Sequence, residues 1–143
     1  EENPADTFKL KWVTTFSGQY SKDRLYGGQG YSIGGAGTVR GSRIALASGS
    51  SGLLWRNELS TALTDAPHDM FGTIEGYYAL DIGRVLPQAG LSPLGGTAVG
   101  SVWGLRAKDG PLEVDVSYQR ITKTSSHLQK PEGEVFVNLS YTF

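Results

Sequence analysis

Leu112-Glu113-Val114-Asp115-Val116-Ser117-Tyr118-Gln119 decides the fold class. Apolar side chains take every even position and polar ones every odd position, the period of an extended strand with one greasy and one wet face. The same period closes the chain, where Val135, Val137, Leu139, Tyr141 and Phe143 alternate with Glu134, Asn138, Ser140 and Thr142, and only Phe136 intrudes.

Working outward towards the N-terminus, four more segments carry the pattern. Tyr78, Leu80, Ile82 and Leu86 oppose Tyr77, Ala79, Asp81 and Gly83, with Arg84 as the exception on the greasy side. Leu53, Trp55, Leu59 and Leu63 oppose Arg56, Glu58 and Ser60, and Asn57 breaks the apolar face. Phe8, Leu10, Trp12, Phe16 and Tyr20 oppose Lys9, Lys11, Thr15, Ser17 and Gln19. Between Thr97 and Arg106 the alternation is weaker, with Val99, Trp103 and Leu105 set against Gly100 and Gly104, small residues that relieve crowding. Each segment runs for roughly ten residues, the length a tilted strand needs to cross a bilayer. Asp109-Gly110 marks a tight turn that forces antiparallel pairing of its flanking strands. The fold expected is therefore all-β, one domain over residues 1–143, with a long Gly- and Ser-rich connector over about 21–52.

Composition agrees and excludes several function classes. The 143 residues include no cysteine, so neither disulfides nor a Cys-based metal site arises. A net charge of -1, with 13 Lys and Arg scattered among 14 Asp and Glu, leaves no basic stripe for nucleic acid. No apolar run is long enough for a helical span, and Glu1 to Asp6 are acidic where a signal peptide is basic, which fits a mature or truncated chain. Twenty glycines beside seven Tyr and three Trp suit strands joined by turns.

Alternation alone fits either a soluble barrel with an apolar pocket or a membrane barrel with a polar lumen. Two features favour the membrane. Aromatics on the apolar faces lie near strand ends (Phe8, Tyr20, Tyr78, Tyr118, Tyr141), where interfacial rings belong. The opposite faces carry Arg56, Glu58, Asp81, Glu113, Asp115 and Glu134, prohibitive in a sealed apolar core but inexpensive beside lumen water.

Most motif matches dissolve on inspection. Gly30-Tyr31-Ser32-Ile33-Gly34 fits the nucleophile-elbow pattern, but glycines follow it rather than a helix, and no α/β alternation supports a hydrolase. Gly35, Gly37 and Gly41 depart from dinucleotide-loop spacing. His68 and His127 stand in separate connectors without companions at ligand spacing and read as solvated loop residues, so no metal or cofactor is expected. Asn138-Leu139-Ser140 is a glycosylation sequon inside a strand and is set aside.

Val39-Arg40-Gly41 is different, because an arginine beside glycine is a fork of donors on a backbone that can enter a confined space. Tucked inward, it would meet Glu58 or Asp81 on the polar faces. Left outside, it would be a solvated loop arginine. The residues alone leave both open.

The stretches Tyr31-Ser32-Ile33-Gly34-Gly35, Thr38-Val39-Arg40-Gly41, Arg56-Asn57-Glu58-Leu59 and Leu80-Asp81-Ile82-Gly83-Arg84-Val85 resemble, in order and spacing, the two-partner secretion transporters that export haemolysins and adhesins. The resemblance runs from about residue 8 to Phe143 and implies the C-terminal part of a sixteen-strand barrel in the bacterial outer membrane. It implies that residues 21–52 are a loop folded back into the pore, with Arg40 at its tip, Asp81 and Gly83 in the wall motif that meets it, and Glu58 a second acceptor. Ser42 departs from the family, which usually has an aromatic there. The implied partners are a secreted exoprotein (haemolysin, adhesin or contact-dependent toxin) and the outer-membrane bilayer, with no enzyme chemistry. With the long connector outside, the Asp109-Gly110 turn and the terminus are periplasmic. Rival readings are a related barrel that assembles outer-membrane proteins, a small standalone barrel pore or enzyme, and a soluble ligand-binding barrel.

Overall fold

The computed structural model describes residues 9–25, 27–35, 37–63, 72–87 and 95–143; Phe8 and His68 lie outside them. Six long strands form one antiparallel sheet: β1 (Leu10–Gln19), β4 (Gly52–Ala62), β5 (Thr73–Val85), β6 (Gly96–Asp109), β7 (Leu112–Thr124) and β8 (Glu134–Tyr141), in the order β1-β4-β5-β6-β7-β8. The connector between β1 and β4 holds a separate small hairpin, β2 (Tyr31–Ile33) with β3 (Ala47–Gly49), after one 3-10 turn over Gly27–Gln29. Ser32, the centre of the elbow-like motif, pairs with Ser48 in that hairpin. Among the described residues the sheet is open, with β1 and β8 at its edges.

The alternation explains the two faces. Trp12, Phe16 and Val137 are 68%, 70% and 69% exposed on one side, with Leu59, Trp103, Leu105 and Leu139 around them. An apolar face this broad is stable only against lipid or another apolar surface. Tyr78 and Trp103 pack across β5 and β6 with ring centroids 4.4 Å apart and planes tilted by 51°. The other, inner face carries the charges, and over part of it lies the β1–β4 connector. There Ile33, Val39 and Ala47 pack with Leu54, Val85, Ala98 and Ile121 in a buried apolar cluster.

Two local devices shape the sheet. Asp109 pairs with Leu112 around Gly110-Pro111, and Gly110 at φ +56° supplies the left-handed residue that so short a turn needs. Between Val99 and Gly100 the register with β7 shifts, a bulge that bends the strand beside the connector.

Candidate functional site

Arg40 is held on the inner face by two strands. Its Nε donates to Asp81 Oδ2 at 2.7 Å and its Nη2 to Asp81 Oδ1 at 2.9 Å, the planar fork against one carboxylate. Its backbone N–H adds a third bond to Asp81 Oδ2 at 3.1 Å, and Nη1 donates to Glu58 Oε2 at 2.8 Å. Asp81 is fully buried, so its charge depends on these partners. Burial alone would lower the Arg40 pKa, but the bonds to Asp81 and Glu58 outweigh it and the net movement is upward. Arg56, opposite Asp81 in the β4–β5 register, places its Nε 3.6 Å from Asp81 Oδ1.

Missing side chains make the seat. A Cβ on Gly83 would stand 2.5 Å from Val39 Cγ2 and 2.8 Å from Ile33 Cγ2, so the wall glycine admits the apolar part of the connector. A Cβ on Gly100, the register partner of Asp81 on β6, would collide with the Arg40 carbonyl. Gly41 turns away at φ +109°, with the Arg120–Ile121 backbone of β7 against it. On the other side a turn closes from Thr38 N–H to the Gly35 carbonyl at 3.2 Å, and Thr38 Oγ1 donates to the Gly34 carbonyl at 3.0 Å. Ser42 is buried and bonds the Ile44 backbone, donating to its carbonyl at 2.8 Å and accepting from its N–H at 3.3 Å. Thus Val39, Arg40 and Gly41 meet Asp81, Gly83 and Glu58 in one place.

A second cation centre, not singled out from the sequence, lies lower on the same wall. Arg106 of β6 approaches Glu58 Oε1 at 3.4 Å, Asp115 Oδ2 at 3.2 Å, Glu113 Oε1 at 3.7 Å and Glu75 Oε2 at 3.8 Å. Its guanidinium also covers the Tyr77 ring at 4.6 Å, while the Tyr77 hydroxyl donates to Asp115 Oδ1 at 2.8 Å. Glu58 therefore links the connector's arginine to this lower cluster. A further tether joins Arg43 to Glu134 of β8, with the Arg43 guanidinium 5.4 Å over the Phe136 ring. The aromatic that breaks the β8 alternation thus faces inward beneath a connector arginine. His127 stays exposed and its Nε2 lies 2.5 Å from the Gly95 carbonyl.

Among the described residues, then, a sheet greasy outside and charged inside carries a connector tied down by arginine, the build of an outer-membrane β-barrel wall. The family described as haemolysin secretion/activation protein ShlB/FhaC/HecB matches residues 3–107, and the chain belongs to it. The chain is 36% identical over 104 residues to the outer membrane transporter CdiB of Escherichia coli, covering 73% of this chain and 17% of that protein. It is 34% identical over 101 residues to the outer membrane transporter CdiB-2 of Burkholderia pseudomallei (strain 1026b), covering 70% of this chain and 16% of that one. The solved structure of CdiB from Escherichia coli superposes with a TM-score of 0.82 at 29% identity, over 94% of this chain and 25% of that chain. The chain thus spans about a sixth of the length of these curated relatives. As in its family, it is an outer-membrane chain.

Proposed function

We propose that these strands are the C-terminal part of a sixteen-strand barrel that passes a large exoprotein across the outer membrane. The exoprotein is of the haemolysin, adhesin or contact-dependent toxin kind, and residues 21–52 form a loop folded into the lumen. The arginine pairing carries the reading: a guanidinium bound by Asp81 and Glu58 anchors a connector that water alone would leave mobile. The charged inner face offers an unfolded chain a wet path without a deep apolar trap. The relatives described as outer membrane transporters support the same reading. In this scheme Arg40 is a structural latch and no bond chemistry is assigned to it.

The test expresses the full-length parent transporter with Arg40→Ala or Asp81→Ala and measures secretion of its exoprotein alongside the barrel's abundance in the outer membrane. Normal assembly with reduced export in both variants is expected. Wild-type export from an assembled Arg40→Ala barrel would sink the latch.

A further inference from the structure

Three cations on the outer face have no side-chain partner among the described residues. Arg84 of β5 and Arg120 and Lys123 of β7 are exposed, and among the described residues none of them makes a hydrogen bond or ion pair through its side chain. The inner arginines 40, 56 and 106 each hold at least one carboxylate. Register fixes the outward direction. Asp81 and Gly83 turn inward and are buried, so Arg84 turns outward, opposite Leu53 and Thr97. Inward Gly100 likewise places Val99 and Ser101 outward, and these face Lys123 and Arg120.

All three lie towards one end of the sheet, the end to which the connectors 20–51, 86–95 and 125–133 attach. In membrane barrels the long connectors are extracellular, which puts these residues at the rim of the outer leaflet. Arg120 is level with Leu80, deeper than Arg84 and Lys123, and below it the outer face is apolar, with Trp103, Val116 and Tyr118. A cation facing lipid there directs its head along its stem to the headgroup layer, and Arg120, four residues short of the end of β7, has the reach. Glu132 lines a hollow with Arg120, but among the described residues no ion pair joins them, which leaves the three cations free to take an anion from the membrane.

We propose that Arg84, Arg120 and Lys123 bind the phosphate of an outer-leaflet lipid headgroup. Guanidinium forks match phosphate oxygens two at a time, and Lys123 adds a point charge. The site rests on the outer-membrane placement and is independent of the Arg40 latch.

The test titrates the purified full-length parent with lipid A, with dephosphorylated lipid A and with inorganic phosphate, following the thermal unfolding midpoint. Only lipid A is expected to raise the midpoint. Changing Arg84, Arg120 and Lys123 to Gln should shift half-saturation by about fivefold per charge removed. The charge-retaining set Arg84→Lys, Arg120→Lys and Lys123→Arg should hold most of the affinity. If the triple Gln variant does not assemble, single Arg84→Gln and Lys123→Gln variants carry the same titration. Equal response to dephosphorylated lipid A, reproduction by inorganic phosphate, or unchanged half-saturation in the Gln variants each overturns the proposal.

Discussion

Asp81 accepts three hydrogen bonds from Arg40, two from the guanidinium edge and one from the backbone N–H. The side chain and main chain of one loop residue therefore converge on one buried carboxylate. A lysine cannot reproduce that fork, since it is a single point charge on a flexible stem. Arg40→Lys is predicted to behave closer to Arg40→Ala than to wild type. Losing one partner of such a buried pair costs about 3 kcal/mol. Limited proteolysis of the connector in the assembled full-length barrel should accelerate by roughly a hundredfold where opening precedes cutting. Wild-type protection in the lysine variant would show that charge alone holds the loop.

Crowding at the wall glycines should unseat the connector with every charge intact. Gly83→Ala presses on Val39 and Ile33, side chains that can shift, so a loss of about 1–3 kcal/mol in anchoring is expected. Gly100→Ala presses on the Arg40 carbonyl, which cannot shift without moving Arg40 itself, so it should be the more severe. The same proteolysis assay ranks them, and a milder Gly100→Ala would contradict the seat.

Arg106 stands among Glu58, Glu75, Glu113 and Asp115. Arg106→Gln leaves those carboxylates facing one another and should lower the unfolding midpoint of the full-length barrel. Adding Glu113→Gln should restore part of the loss, a coupling of about 0.5–3 kcal/mol in a double-mutant cycle. Strict additivity of the two changes would mean that Arg106 does not neutralise this cluster.

Val137 and Asn138 are neighbours on β8 that face opposite ways. Arginine at a lipid-facing midplane position costs about 2–4 kcal/mol, whereas a lumen-facing one is tolerated. Val137→Arg should depress outer-membrane assembly of the parent, and Asn138→Arg should leave it near wild type, because Asn138 lines a polar inner hollow where Glu75, Glu113 and Asp115 outnumber Arg106 and Lys108. Equal assembly of both variants would deny the membrane orientation of the sheet.

Strand identity was legible wherever both faces had a consistent environment. β7 and β8 have lipid on one side and water or charge on the other, so a period of two survives in the residues. β6 was fainter because Ala98, Gly100 and Val102 lie buried inside, where small and apolar residues replace polar ones. The β2–β3 hairpin left no periodic signal, being three residues per strand among glycines. Residues 39–41 stood out because arginine beside glycine is unusual in a loop, yet the residues alone left its direction open, and the choice of inner face came from family resemblance. Arg106 was hidden for the opposite reason: one arginine at the end of a weak alternation gives no sign that four carboxylates from β4, β5 and β7 converge on it. Phe136 and Arg43 form a long-range pair, and the only trace in the sequence was that Phe136 broke its pattern.

The wall also keeps cations of its own. Asp81 has Arg56 close by, and Glu58 has Arg106, both carried by strands rather than by the connector. Withdrawal of Arg40 costs Asp81 three bonds, yet it leaves one guanidinium near each carboxylate, Arg56 at 3.6 Å from Asp81 and Arg106 at 3.4 Å from Glu58. In the proposed latch, the frame therefore carries its own counter-charges, and drawing Arg40 out would leave the wall with a cation beside each acid.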